Sequence, residues 1–199
     1  MMVTELLLAS NNDHKRLEIV RLFPGVTVRM PHDLGISFDF EENGATFLAN
    51  AHGKAMALFQ SAHMPVIADD SGLCVSALGG EPGVYSNRYG VPPGAKPLET
   101  PARNEFLLGR MTGMKERAAC FVCCLVLVLA ESRFIVAQET AEGVIADAPR
   151  GRNGFGYDPL FFFPALKRTM AELSDAEKDT LSHRGRAARR MLALLRADE

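Results

Sequence analysis

The sequence predicts an α/β protein built around a mixed β-sheet. Three observations carry that expectation. Apolar runs of strand length alternate with stretches whose apolar residues recur every three or four positions. Two apolar runs, Ala119–Leu129 and Arg133–Gln138, are separated by the short turn Ala130–Ser132 and so form an antiparallel pair. Finally, 199 residues at 47% hydrophobic and 23% charged can bury a substantial core as one domain or as two closely joined lobes.

The elements follow in order. Thr4–Ala9 is a strand, residues 14–23 a helix and Val26–Met30 a second strand. A polar, acidic passage from His32 to Gly44 leads into a helix over Thr46–Ala62, where Phe47, Ala51, Ala55, Leu58, Phe59 and Ala62 share one face. Gly53 inside that helix costs about 1 kcal/mol relative to alanine, and the sequence offers no compensation for it. Pro65 stops the helix, and Val66–Ala68 is a short strand running into Asp69 and Asp70. Gly79–Pro97 is loop-forming in composition. Thr100 as N-cap and Pro101 at the first helical position start a helix that runs to about Met111. Gly143–Ala146 extends the sheet, Gly151–Asp158 is a glycine-rich loop and Leu160–Phe163 a further strand. Thr169 with Glu172, and Ser174 with Glu177, fit capping boxes. The last helix carries Ala188, Met191, Leu192 and Leu195 as an apolar stripe, with Arg186, Arg189 and Arg190 on a solvated face.

A formal net charge of −2 provides no general attraction for nucleic acid or an anionic membrane. Nothing near the N-terminus reads as a signal peptide, and the 13-residue apolar stretch Ala118–Ala130 is shorter than the roughly 18 residues a spanning helix needs. A cytoplasmic protein is expected. Cys120 and Cys123 form a CxxC, but within a strand they point to opposite faces, and no second pair completes a metal site. The four cysteines therefore read as small core hydrophobes.

Four stretches can carry chemistry. Asp69 and Asp70 are adjacent carboxylates at the end of a buried strand. In an extended chain they face opposite ways, but a turn at Ser71-Gly72 would bring both to one divalent cation. Equally, Asp-Asp-Ser-Gly is ordinary turn composition. Ser10, Asn11, Asn12, Asp13, His14 and Lys15 lie where the first strand meets the first helix, which makes either an anion-binding corner or a set of caps. The segment Gly151–Pro159 brings glycines together with Phe155 and Tyr157, for base stacking or for a tight hairpin with buried rings. His183 and Arg184 sit at a helix junction and offer donors to a carbonyl oxygen, or a structural contact.

In order and wording, LLLASNNDHKRLEI, EENGATFLANAHGKA, IADDSGLCVSALGGEPGVYSNRYG, GRNGFGYDPLFFFP and LSDAEKDTLSHRGRA resemble the inosine triphosphatase family, over Leu6 to Ala187. The resemblance implies an α/β fold with a long central mixed sheet, two lobes and a nucleotide cleft between them, usually as a homodimer. It implies Mg2+-dependent hydrolysis of ITP, dITP and XTP to the monophosphate and pyrophosphate, which removes deaminated purines from the nucleotide pool. By position, Asp70 matches the general base, with the option of touching the metal. Asp69 matches a magnesium ligand, assisted by a glutamate of the Glu41-Glu42 pair, either Glu41 or Glu42, with Glu41 favoured by its offset from Gly44. Ser10 to Lys15 and Ser71 match phosphate-binding stretches, and Lys54 and Lys178 match lysines near the triphosphate. Phe155, Gly156, Tyr157, Asp158, His183 and Arg184 match the base pocket. Asn43, Ala49 and Asn87 depart from the usual wording, which puts detail of lobe closure and loop conformation in question. The alternatives are a Maf-type pyrophosphatase of modified pyrimidine nucleotides, whose Ser-Pro-Arg-Arg-like first motif is not found here, and a nucleotide-binding module without catalysis.

Overall fold

The computed structural model describes residues 3–92 and 94–197. Seven strands form one sheet in the order β2-β1-β3-β4-β5-β6-β7. They are β1 (Glu5–Leu8), β2 (Thr27–Arg29), β3 (Val66–Val75), β4 (Ala118–Ala130), β5 (Arg133–Ile145), β6 (Phe161–Phe163) and β7 (Arg168–Thr169). The helices are α1 (Asp13–Leu22), α2 (Phe47–Ala62), α3 (Thr100–Arg110), α4 (Asp175–Leu181) and α5 (His183–Ala197). The sheet is mixed, as expected. β1 runs parallel to β2 and β3, whereas β6 is antiparallel to β5 and β7. β4 and β5 are neighbours joined through Glu131 and Ser132, a connection short enough for antiparallel strands alone.

The chain divides into two units. The first runs to Asp70 and takes in Cys123–Glu139 and the chain from His183 onward; the second is Ser71–Val122 with Thr140–Ser182. In the first unit α2 lays Ala51, Ala55 and Leu58 against Leu7, Ala9, Val66 and Ala68. A second cluster there joins Leu6, Leu8, Ile19 and Phe23 to Ala187, Ala188 and Met191 of α5. Arg186, Arg189 and Arg190 are exposed, as their position off the apolar stripe requires. In the second unit Leu73, Leu107, Phe121, Tyr157, Phe161 and Met170 are among the residues that close a separate core.

Several boundaries differ from those the sequence predicts. β3 does not end at Ala68; it continues through Asp69, Asp70, Ser71 and Gly72 to Val75, so the expected turn at Ser71-Gly72 is absent. β5 joins the two segments read as separate strands. The N-cap of α3 is Glu99, with Thr100 already helical, so the Thr100 cap is a correction. Both capping boxes form as expected. Among the described residues no helix is long and apolar enough to cross a membrane.

Candidate active site

β3 positions the acidic pair. Because it stays extended, Asp69 and Asp70 project from opposite faces, and each meets its own set of partners in the first unit. Asp69 is fully buried. Its Oδ1 lies 2.9 Å from Lys15 Nζ, and its Oδ2 accepts from Arg184 Nε and, at 3.6 Å, from the Cys123 thiol. Arg184 Nη1 donates in turn to Glu18 of α1, so two acids and two bases form one cluster in which Lys15 alone is half-buried. Burial by itself would raise the pKa of Asp69. Arg184 and Lys15 overcome that and hold its carboxyl well below the usual carboxylate range.

Asp70 has a different setting. Asn50 Nδ2 donates to its Oδ2 at 3.0 Å. Burial, then the charge of Glu42, pushes its pKa up to about 6 against the pull of Lys54 and Lys15. Lys54 Nζ is shared between Glu42 Oε1 and the Asp69 carbonyl, the latter at 3.0 Å. A carboxylate whose proton affinity is raised by the charge of a second one suits a divalent cation, and Mg2+ uses one or two carboxylates and completes its shell with phosphate oxygens and water. Asp70 with Glu42 fits that requirement. Among the described residues no group of three or more His, Cys, Asp or Glu forms a cage made by protein alone.

Three expectations change on this geometry. Asp69, expected as a magnesium ligand, has both carboxylate oxygens engaged by Lys15, Arg184 and Cys123. Glu41, expected as the assisting ligand, is exposed, and Glu42 is the carboxylate that acts on Asp70. Arg184, expected in a base pocket, is 2% exposed and committed to Asp69 and Glu18. His183 beside it is also buried.

The Ser10–Lys15 corner is built as caps. Asn12 is the N-cap of α1, and its Oδ1 accepts from the amides of His14 and Lys15 at 2.9 and 3.2 Å. Ser10 Oγ accepts from Asn12 N, and Asn11 Nδ2 donates to the Phe38 carbonyl. Asp13 opens the helix and is exposed, as is His14. Lys15 is the member of this stretch that reaches the acidic pair.

The second unit holds the aromatic loop. Asp158 Oδ2 accepts from Phe155 N at 2.8 Å and from Lys178 Nζ at 2.6 Å. Lys178 Nζ also lies 5.0 Å above the centre of the Phe155 ring, a cation–π distance. Gly154 has φ +74, and a Cβ there would fall 2.0 Å from Asp158 Oδ2, so the loop tolerates no side chain at that point. The two rings differ in their settings. Phe155 is half-buried, whereas Tyr157 is 3% exposed, packs in the core and donates its hydroxyl to Ser86 O at 2.9 Å. Tyr157 is thus a core residue rather than a base-facing one. Gly156 and Ser71 are half-buried.

Sequence reasoning missed Glu18 and Asn50, and within the Glu41-Glu42 pair it favoured Glu41. Glu18 stands three residues after Lys15 on α1, and that shared helical face is the signal that points to it.

The chain's likenesses agree with the fold. The model of the Ham1 family matches residues 6–194. The chain is 48% identical over 183 residues to the dITP/XTP pyrophosphatase of Treponema denticola, covering 92% of this chain and 94% of that protein. It is 44% identical over 198 residues to the dITP/XTP pyrophosphatase of Ralstonia nicotianae, covering 98% of each. Its fold matches the Staphylococcus aureus Ham1 protein with a TM-score of 0.85 at 40% identity, over 98% of this chain and 100% of that one. It matches a HAM1 protein from Coxiella burnetii with a TM-score of 0.86 at 36% identity, over 97% and 98%. This chain belongs to the Ham1 family.

Proposed function

We propose that this protein hydrolyses dITP, ITP and XTP to the monophosphate and pyrophosphate. The carrying observation is the unequal treatment of two adjacent carboxylates: Asp69 is locked in ion pairs, while Asp70 is held by Asn50 next to Glu42. The relatives' substrates agree with this reading.

In this mechanism Asp70 orients the attacking water and takes its proton, the role of a fixed carboxylate base. Asn50 keeps that carboxylate in one rotamer. Lys15 and Lys54, already gathered at the Asp69 carbonyl, direct positive charge at the phosphate oxygens and stabilise the pyrophosphate as it leaves. Glu42 and Asp70 would hold Mg2+, which when bound offsets charge on the triphosphate. Asp69 acts on the reaction through Lys15, whose ammonium it fixes.

Base recognition falls to the aromatic loop. The Phe155 ring stacks on the purine, and Lys178 and Asp158 hold the loop's shape. A 6-oxo purine accepts hydrogen bonds from donors at that position, whereas the 6-amino group of adenine leaves such donors unmet. With Arg184 committed to Asp69 and Glu18, the loop backbone supplies the donors for this task. The same reading makes the protein a cytoplasmic homodimer that works on free nucleotides, without nucleic acid or membrane as partner.

The test is pyrophosphate release across ITP, dITP, XTP, ATP, GTP, dTTP and UTP, with and without Mg2+. Turnover of ITP, dITP and XTP that exceeds the others and requires Mg2+ is expected. Faster hydrolysis of dTTP or UTP would overturn the substrate class. Binding of ITP without pyrophosphate release would overturn catalysis.

A further inference from the structure

Asn50, Gly53 and Lys54 occupy one face of α2, spaced three and four apart. All three meet the segment from Phe40 to Gly44. At its start, the Phe40 ring lies where a side chain on Gly53 would be, with Phe40 Cζ 2.9 Å from the position of a Cβ. At its middle, Glu42 pairs with Lys54. At its end, Gly44 N donates to Asn50 Oδ1 at 2.7 Å, and a Cβ on Gly44 would fall 2.6 Å from that same oxygen. The other end of the Asn50 amide donates to Asp70. One helix face therefore grips the segment on both sides of Glu42 and holds Asp70 with the same side chain. Asn50 is 1% exposed, so its amide has no competing water.

We propose that Asn50 and Gly53 are positioning residues that dock Phe40–Gly44 on α2 and so place Glu42 beside Asp70 as a cation-holding pair. This rests on the assignment of that pair to Mg2+ made above. It also accounts for a glycine in mid-helix, where helix propensity disfavours it. With a hydrogen at Gly53 the Phe40 ring closes onto the helix. With any larger group the ring is driven off and carries Glu42 with it.

The experiment compares Gly53→Ala, Asn50→Ala and the double variant Gly53→Ala/Phe40→Leu with the native protein, all without nucleotide. Three quantities are read: Mn2+ affinity by calorimetry, hydrogen exchange of the Gly44 amide, and Tm. Alanine favours the helix, so a purely structural role predicts that Gly53→Ala keeps its Tm and its Mn2+ affinity. The dock predicts a native or higher Tm together with Mn2+ binding weakened tenfold or more and faster exchange at Gly44. Asn50→Ala should also weaken Mn2+ binding and free the Gly44 amide. The double variant, which makes room for the new methyl, should recover affinity to within about threefold of native. Unchanged Gly44 exchange in Gly53→Ala, unchanged Mn2+ affinity despite faster exchange, or no recovery in the double variant would each overturn the proposal. If the native protein binds no Mn2+, the cation assignment falls instead, and the dock is judged on Gly44 exchange and its recovery.

Discussion

At the residue scale, Asp69 and Asp70 have the same side chain and neighbouring positions but opposite proton affinities. Two cations beside Asp69 depress its pKa, while burial and a third carboxylate raise that of Asp70. Asp70→Asn keeps the shape and the Asn50 contact but cannot accept a proton. It should reduce kcat by about 100- to 10,000-fold, the range for a lost general base, with circular dichroism and Tm unchanged. Arg184 is a different kind of residue. Its removal would leave Asp69 and Glu18 buried without their shared cation. Arg184→Ala should therefore destabilise the fold by about 3–5 kcal/mol, as measured by urea unfolding. The acidic pair was legible in the sequence because adjacent carboxylates after an apolar strand are unusual. Which of them meets the cations was not, because Arg184 lies 115 positions away along the chain.

At the element scale, the aromatic loop and the start of α4 carry separate predictions. Gly154→Ala would push a methyl into the Asp158 carboxylate that holds Phe155 N and Lys178. The expected outcome is a tenfold or greater rise in KM for ITP with a smaller change in kcat, read by steady-state kinetics. At the start of α4, hydrogen bonds from Arg168 and then from Ser174 pull the pKa of Glu177 down to about 2. A depressed carboxyl contributes stability that is present above its unfolded pKa, near 4.5, and is lost as pH falls toward about 2. Native protein should thus be more stable than Glu177→Gln at neutral pH, and the gap should close between those two values in denaturation curves taken along the pH series. The capping boxes were legible since their spacing is local. The length of β3 was not. Its Asp-Asp-Ser-Gly has turn composition, and satisfied charges on both faces of the strand outweigh that local preference.

At the scale of the whole molecule, the mixed sheet and the run of elements followed from periodicity and punctuation. Division into two units did not, because β3, β4 and β5 each supply residues to both and no change of composition marks the passage. The homodimer in the proposed function predicts a sedimenting mass of about 43 kDa, twice the 21.7 kDa of one chain. A single species near 21.7 kDa at micromolar protein would remove the dimer from that reading.

The unbroken course of β3 also bears on how this protein tolerates insertions and deletions. Side chains on a strand alternate, so losing or gaining one residue between Pro65 and Ala68 would exchange the faces on which Asp69 and Asp70 emerge. Each aspartate would then arrive where the other is needed, with every catalytic residue still in the chain. In a library of single-residue insertions and deletions selected for hydrolysis, that four-residue stretch should be empty of survivors, while the exposed loop around Gly94–Pro97 should fill with them.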